Sequence, residues 1–229
     1  MKLPKFYVYH LAKVQQFYID KLNIPASKFR FRELSEAERS FYNKIHFDVE
    51  LNLETLGGFK EVAGVHYRET HDLGGHQKGS GEKLEVLVEG KRILPVVLEL
   101  SFGVDRNIWA LLDIFFKQEK ERNLFAFPAA IAPLNLAVFP LVNKDGLPEK
   151  AKKIHEVLRK EFITTLDVKA SIGRLYRRVD EIGCPLAITI DYQTLKDDTV
   201  TIRFIKDMNQ TRVKISELKE KIRNELIKN

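Results

Sequence analysis

The sequence of 229 residues predicts an α/β fold, in which an antiparallel sheet with helices precedes a small α/β domain with a mixed, mostly parallel sheet. Residues 45–51 alternate apolar and polar side chains, which is typical of a strand with one packed and one wet face. After residue 133, strand and helix patterns alternate, as they do in a parallel sheet covered by helices. We therefore predict two domains, 1–127 and 128–229.

Composition and charge exclude several classes of protein. With 44% hydrophobic and 31% charged residues, the chain resembles a globular protein, and its net charge of +6 is weak support for a polyanionic partner such as RNA. The single cysteine, Cys184, excludes an internal disulfide and a thiolate metal cluster, so we predict no metal site. Because no secretory leader or membrane-length apolar run is visible, we expect a cytoplasmic protein without a membrane partner.

The first domain begins with a helical stripe over 9–22 and a strand in which Phe29 and Phe31 alternate with arginines. The spacing of Ser35 and Glu38 predicts a capping box that opens a short helix. The remaining first-domain predictions are a short strand over 57–68, a glycine-rich loop over 72–84, two strands joined around Glu89–Gly90, and a helix over 104–121 with Arg122 pointing outward.

The second domain follows a proline-bracketed linker at 128–133. Its predicted elements, in chain order, are a strand at 134–142, a helix at 147–161, a strand at 164–168, a helix at 171–182, strands at 186–192 and 199–205, and a helix from Ser216.

The stretch "ELSFGVDR", residues 99–106, carries polar groups where a buried strand is expected. Glu99 and Ser101 share one face of that strand, and Gly103 allows a sharp turn into the helix that follows. Arg106 then falls in the first helical turn, where the free N–H groups also favour an anion. These residues predict a pocket for an ammonium group beside a polyphosphate. The alternative is a sheet-edge ion pair, a helix cap and a solvated arginine.

"ELSFGVDR" resembles motif 3 of class II aminoacyl-tRNA synthetases, in particular the glycyl-tRNA synthetases of the archaeal and eukaryotic type. Further segments resemble this family in the same order, and they cover nearly the whole chain: "KFRFREL", "GGFKEVAGVHYRETHDLGGH", "ERNLFAFPAAIAPLNLAVFPLVNKDGL", "SIGRLYRRVDEIGCPLAITIDYQTL" and "TVTIRFIKDMNQTRVKISEL". The chain departs from the family pattern at Leu100, where proline is usual, and at Phe59, where tryptophan is usual. The resemblance implies a partial class II antiparallel sheet followed by an anticodon-binding domain.

The resemblance also implies site residues and substrates. Arg106 would be the catalytic contact to the ATP phosphates, and the residues at or near the glycine pocket would be Glu99, Ser101, Gly103, Glu61 and Arg68. Asp72 and His76 fit the family pattern, but neither is given a role. On the helix at 171–182, the RNA-binding candidates are Arg174, Tyr176, Arg177 and Arg178, with Tyr176 stacking on a base.

The predicted function is ATP- and Mg²⁺-dependent attachment of glycine to tRNA(Gly) through glycyl-adenylate. Motifs 1 and 2 of class II synthetases are not visible, and "RFRE" at 30–33 does not replace motif 2. We therefore expect the chain alone to be inactive and to be completed by a chain carrying motifs 1 and 2, in a dimeric or heterotetrameric holoenzyme, or by a missing N-terminal part. The alternatives are a non-enzymatic, synthetase-like module that binds nucleic acid and, less favoured, an unrelated small-molecule transferase.

Overall fold

A computed structural model describes residues 3–228 and divides the chain into two compact units, Met1–Ile114 and Phe115–Asn229. This division lies thirteen residues before the predicted boundary at 127/128. Within the described residues, no helix combines the length and the apolar character that crossing a bilayer requires.

In the described part of the first unit, from residue 3 onward, there are three α-helices and six strands. The helices are α1 (Lys5–Gln16), which continues as a π-helical turn over Phe17–Lys21, α2 (His71–Ser80) and α3 (Val104–Phe115). The strands are β1 (Phe29–Glu33), β2 (Ile45–Leu53), β3 (Gly58–Glu69), β4 (Val86–Val88), β5 (Lys91–Ile93) and β6 (Val97–Phe102).

Four strands form an antiparallel sheet in the order β1-β2-β3-β6, and β4 and β5 form a separate hairpin. The predicted antiparallel sheet is thus confirmed. The predicted turn at Glu89–Gly90 is also confirmed, since both residues have positive φ angles, as a two-residue hairpin turn requires. The apolar face of the sheet packs beneath α1, where Tyr7 and Tyr18 are fully buried. The Tyr7 hydroxyl donates to the Val65 carbonyl at 2.8 Å.

A bulge in β3 sets which side chains share a face. Val49 pairs with Ala63, but the next residue, Glu50, pairs with Glu61, so Val62 is the extra residue. Paired residues point to the same side of a sheet, and Glu61 therefore lies on the face that carries Glu50. If Val62 instead paired with Glu50 in a regular ladder, the strict alternation along β3 would place Glu61 on the face opposite to Gly64 and His66.

The second strand predicted after Glu89–Gly90 is divided into β5 and β6. Three predictions of secondary structure for residues 35–84 are wrong. Residues 71–80 form a helix, not a loop, which ends where Gly81 takes the left-handed conformation. Residues 35–38 form a turn instead of a helix, although Glu38 does accept from the Ser35 hydroxyl at 2.8 Å. The strand predicted to be short over 57–68 is β3, which is long and has twelve residues.

The second unit, as far as residue 228, contains four α-helices and seven strands. The helices are α4 (Leu147–Leu158), α5 (Ile172–Ile182), α6 (Thr194–Asp197) and α7 (Leu218–Lys228). The strands are β7 (Phe116–Gln118), β8 (Asn123–Phe125), β9 (Leu136–Pro140), β10 (Thr164–Leu166), β11 (Leu186–Ile190), β12 (Thr199–Phe204) and β13 (Gln210–Lys214).

Its five-stranded sheet has the order β10-β9-β11-β12-β13, with β10, β9 and β11 parallel and the other pairs antiparallel. The predicted mixed sheet is confirmed. Side chains of α4 and α7, among them Leu158 and Ile222, pack in one buried cluster, whereas Leu175 and Val179 of α5 pack in another.

The segment before the predicted linker differs most from expectation. The helix predicted to reach residue 121 ends at Phe115, because β7 pairs with β8 in a hairpin. Arg122, predicted to point outward, is buried and donates to Asp180 at 3.2 Å. Arg203 donates to both oxygens of the same carboxylate, at 2.7 and 2.9 Å. This buried network holds the hairpin against α5.

Candidate functional site

The polar face of the first sheet gathers most of the predicted site residues. In the strand register, Glu99 pairs with His66 and Ser101 pairs with Gly64, and the bulge adds Glu61 to the same face. The expectation that Glu99 and Ser101 share one face is confirmed. The structure thus assembles two carboxylates and a hydroxyl on one surface, a set that can bind an ammonium group.

Two details of this face correct the sequence analysis. The polar side of β2 is not wet, because Asp48 and Glu50 are buried. Arg30 of β1 donates to Glu50 at 2.6 Å, and the buried charge of Glu50 therefore has an ion-pair partner. The strand that carries Glu99 is also less buried than expected, since β6 ends the sheet order and Ser101 is exposed.

Arg68 fixes the Glu99 carboxylate. One guanidinium nitrogen of Arg68 donates to Glu99, and the other donates to Asp72 of α2 at 2.6 Å. The Glu99 hydrogen bond is the main cause that raises the pKa of Arg68 further. Asp72, to which the sequence assigned no role, therefore positions Arg68. His76 lies exposed on α2.

Arg106 is bound to the same face through Glu61. Its guanidinium lies 3.1 Å from the Glu61 carboxylate, and its side chain remains 60% exposed. It also folds back beside Gly103, where a Cβ would lie 3.1 Å from the Arg106 Cδ. A cavity of about 500 Å³ opens at this point, lined by Glu61, Arg106 and Trp109 among others. A phosphate that enters this cavity can replace Glu61 as the partner of Arg106.

Two histidines that sequence reasoning missed form the centre of the polar face. The rings of His46 and His66 have centroids 4.1 Å apart, and His66 covers Gly64 so closely that a Cβ there would overlap with its Nε2. Burial is the main cause that lowers the pKa of both imidazoles. The sequence did contain a signal for them, because strand alternation places both histidines on the polar face of the sheet.

Phe59, where the family usually has tryptophan, contacts Arg30, whose guanidinium carbon lies 4.1 Å from the ring centroid. An aromatic side chain at this position thus covers one of the arginines of β1.

The arginines of α5 lie in the second unit. Arg174, Arg177 and Arg178 line an open hollow of about 520 Å³. Arg178 also pairs with Asp167 at 2.7 Å. Tyr176 does not line this hollow: its hydroxyl bonds to Thr189 at 2.6 Å, and its ring packs against Arg203. That Tyr176 stacks on a base stays a prediction. In the structure, one face of its ring already contacts the Arg203 guanidinium.

Within residues 3–228, no group of three or more His, Cys, Asp or Glu side chains could hold a metal ion. Of the two carboxylates that line the candidate phosphate cavity, Glu61 and Asp105, the first is already paired with Arg106. The described residues therefore do not fit a protein-held Mg²⁺, and we assign none of them to a metal.

Comparison with known proteins finds similarities over nearly the whole chain. An anticodon binding domain family matches residues 135–225. The chain is 34% identical to glycine–tRNA ligase of Borrelia hermsii, over 99% of this chain and 52% of the relative. It is 40% identical to glycine–tRNA ligase of Clostridium kluyveri, over 90% of this chain and 45% of the relative.

The fold also resembles a solved structure, prolyl-tRNA synthetase from Cryptosporidium parvum complexed with L-proline and AMP. The TM-score is 0.74 at 17% identity, and the match covers 98% of this chain and 47% of the other. The chain thus spans about half the length of the curated relatives it matches. The chain is thus similar over nearly its whole length to part of glycine–tRNA ligases, and most of its second unit matches an anticodon binding domain family.

Proposed function

We propose that this chain is the C-terminal part of a glycine–tRNA ligase and takes part in the ATP-dependent attachment of glycine to tRNA(Gly). One observation carries the proposal: Glu99, Ser101 and Glu61 share a face of the sheet that is tied to Arg106. The similarity to glycine–tRNA ligases supports it.

In the proposed reaction, the glycine carboxylate oxygen attacks the α-phosphorus of ATP and pyrophosphate leaves, which gives glycyl-adenylate. Glu99 and Glu61 supply negative charge for the glycine ammonium group, and Ser101 lies beside Glu99 as a hydrogen-bonding group. Arg68 is a positioning residue that keeps the Glu99 carboxylate in one orientation. Gly103 leaves room for the Arg106 side chain against the backbone.

Arg106 acts on the nucleotide. Its guanidinium can form paired hydrogen bonds to phosphate oxygens, and its exposure leaves it free to turn from Glu61 to that ligand. Release of Glu61 from Arg106 would then make this carboxylate available to the ammonium group. Binding of ATP would in this way prepare the glycine site.

ATP is the proposed nucleotide substrate, and Mg²⁺ would enter bound to its phosphates. Because the residues described here do not fit a metal site, we derive no step through the ion. One arginine is also too little positive charge for an α-phosphate in the transition state, which needs preorganised partners on several sides. We therefore propose that motifs 1 and 2 come from another chain or from the part of the relatives that this chain does not match.

In the second unit, we propose that Arg174, Arg177 and Arg178 bind tRNA phosphates. They line one hollow, and a cluster of guanidinium groups attracts a polyanion. Tyr176 would then support α5 from the side of the sheet. A cytoplasmic location and a dimeric or heterotetrameric holoenzyme remain predictions that accompany this function.

The decisive experiment is glycine-dependent exchange of pyrophosphate into ATP. It is measured with this chain alone and after mixing with a polypeptide that carries motifs 1 and 2. We expect exchange in the mixture only, and its loss when Glu99→Gln is introduced. If neither sample exchanges pyrophosphate but the chain binds tRNA, the non-enzymatic module is the correct function instead.

A further inference from the structure

The second unit contains an apolar groove of about 730 Å³ that the proposed function does not use. It is lined on one side by α4 and on another by the stretch from Lys214 to Lys219, where β13 ends and α7 begins. Asp197 and Asp198, at the end of α6, also line it. We call this cavity the α4–α7 groove. Its volume lies within the range of roughly 300–1,000 Å³ that is usual for ligand sites.

The floor of the groove is the outer edge of a buried core cluster of this unit. Ile154, Leu158 and Leu218 belong to that cluster, and Ile215 packs against it. Val157 lies on the same stripe of α4, three residues after Ile154, but 51% of it is exposed. Apolar surface thus reaches solvent inside a concave site, which is a mark of a binding surface.

Lysines flank this apolar floor. Four of them line the groove, two from each segment: Lys150, Lys153, Lys214 and Lys219. Lys150 is paired with Asp198 at 2.5 Å, and Lys219 lies 3.7 Å from Glu161. For Lys153 and Lys214, no ion-pair partner is found within residues 3–228. One unpaired positive charge therefore borders the groove on each segment.

The two aspartates of the groove do not neutralise these lysines. Both oxygens of Asp197 already accept hydrogen bonds, from the Gln193 amide at 2.6 Å and from the Thr199 hydroxyl at 2.7 Å. Asp198 is held by Lys150. The groove therefore presents positive charge beside apolar side chains, and it is complementary to a ligand that carries carboxylates beside apolar side chains.

The lining residues favour a polypeptide over RNA. Among the described residues that line the groove, none is aromatic and none is an arginine, the side chains on which bases stack and which bind phosphates in pairs. Isoleucine, valine and leucine side chains instead accept the apolar face of an amphipathic helix. Lysines on two segments match several carboxylates spaced along such a helix better than a single carboxylate.

We propose that the α4–α7 groove binds an acidic amphipathic helix of a partner protein. The apolar face of that helix contacts Val157 and Ile215, and acidic residues on its two flanks pair with Lys153 and Lys214. This interaction goes beyond the proposed aminoacylation and does not rest on it, since none of these residues is assigned to glycine, ATP or tRNA.

The test uses the full chain and a synthetic, fluorescein-labelled peptide of about 14 residues, or roughly four helical turns. The peptide carries leucines at helical spacing and glutamates beside them. One control peptide has the same composition in scrambled order, so that its leucines do not share a face, and another has glutamine in place of glutamate. Measured by fluorescence anisotropy, both controls should bind more weakly by about tenfold or more.

The position of the peptide is checked by methyl NMR spectra of the chain. The signals of Val157 and Ile215 should shift when the peptide is added. Ile163, an exposed isoleucine of the same unit outside the groove, provides the reference signal and should not shift.

The contribution of charge is tested with Lys153→Gln/Lys214→Gln. This double variant should weaken binding of the glutamate peptide by about tenfold and make its salt dependence shallower. Lys152→Gln/Lys160→Gln is the matched control, because it removes two exposed lysines of the same unit that lie outside the groove. The control carries the same change in net charge and should bind the peptide as the unchanged chain does.

The contribution of the apolar floor is tested with Val157→Gln, which should weaken binding by about fivefold because an apolar contact is lost. Ile227→Gln is its control, since Ile227 is an exposed apolar residue of α7 outside the groove. Both positions are exposed, and equal thermal unfolding midpoints of the two variants and the unchanged chain verify that the fold is retained.

The inference is overturned if the glutamate peptide does not bind, if its scrambled form binds equally, or if the groove variants bind it as well as their controls do. It is also overturned if a tRNA(Gly) transcript displaces the peptide and Lys153→Gln/Lys214→Gln weakens binding of that transcript, because the groove would then be part of an RNA surface. A chain that binds the peptide as expected but shows no glycine-dependent exchange in the reconstituted mixture would refute the proposed function and leave this inference standing.

Discussion

His46 and His66 occupy directly paired positions of β2 and β3, and their rings lie 4.1 Å apart in the middle of the polar face. Burial lowers the pKa of both, and each is further affected by nearby charges, with Glu99 opposing the decrease in both cases. Glu61 also opposes it at His46, whereas the cationic side chains Arg32 and Arg68 add to it at His46 and His66 respectively. Neutral imidazoles are thus the form that the fold stabilises.

This relationship predicts that the first unit loses stability in mild acid. Unfolded histidines bind protons near pH 6.5, whereas the folded pair binds them only at lower pH. The stabilisation is therefore complete above pH 6.5 and decreases as the pH falls towards the folded pKa. Hydrogen exchange of the β2 and β3 amides at pH 7.5 and 5.5, corrected for intrinsic rates, should show weaker protection at pH 5.5.

The matched variant carries His46→Gln and His66→Gln. It removes both titrations, and its protection should depend less on pH in this range. The burial-raised pKa of Asp48 acts in the opposite direction, with stability falling as the pH rises above the ordinary value of 3.8, and it does not produce the same loss. Equal protection of the unchanged chain at both pH values would contradict the prediction.

Gly64 should not tolerate a side chain. In Gly64→Ala the new methyl group overlaps with His66, which has to move within a packed face, and we expect a loss of about 1–3 kcal/mol in unfolding free energy. The double variant Gly64→Ala/His66→Ala should recover much of this loss. Gly75→Ala is the control, because a Cβ there meets nothing within 4 Å and alanine favours a helix. Urea denaturation of all variants tests the prediction, and a destabilised Gly75→Ala would undermine it.

Asp180 should be essential for the second unit. Asp180→Asn leaves the buried guanidinium of Arg203 without its carboxylate partner and leaves Arg122 with Glu119 only, and we expect a loss of about 3–5 kcal/mol. Asp167→Asn removes a more exposed pair, with Arg178, and should change stability by about 0–1 kcal/mol. Thermal unfolding of the two variants compares them directly, and similar values for both would refute a special role of burial.

Arg106 should matter for ATP more than for glycine. In the reconstituted enzyme, Arg106→Ala should reduce kcat/KM for ATP by roughly 100-fold or more, as expected for loss of a preorganised charge at the phosphates. Asp105→Ala, one position earlier at the same cavity, serves as the control and should retain activity. Should the KM for glycine rise alone, Arg106 would belong to the amino-acid site instead.

The α5 arginines should determine the salt dependence of tRNA binding. Removing one arginine–phosphate interaction changes the slope of log affinity against log salt by about 0.7–0.9. We therefore expect a shallower slope when Arg174, Arg177 and Arg178 are all replaced by glutamine, measured by filter binding over a range of salt concentrations. Arg159→Gln, on the end of α4, is an exposed control that should leave the slope unchanged. An unaltered slope in the triple variant would place the RNA elsewhere.

The faces of the site strands could be predicted from the sequence, because alternation along a strand is a local property. That Glu99 and Ser101 lie on one side follows from their spacing alone. Their degree of burial could not be predicted in this way. It depends on the order β1-β2-β3-β6, which puts the strand of Glu99 at one end and brings Arg30 over Glu50.

The errors have a common physical origin. Glycines discouraged the prediction of the helix over 71–80, yet tertiary contacts such as Arg68 with Asp72 hold it. Arg122 looked like a solvated residue because its partners, Asp180 and Arg203, are far away in the sequence. Buried charge networks of this kind leave no local pattern.

The bulge at Val62 also bears on how the chain can change during evolution. Substitutions along β3 alter one chemical group at a time, whereas deletion of Val62 would remove the bulge and leave a regular ladder in which Ala63 and Glu61 still pair with Val49 and Glu50. Strand length can therefore shorten at this one position while the polar groups stay on their face. A regular ladder that kept Val62, in contrast, would turn Glu61 away from Arg106 and replace it by the side chain of Val62.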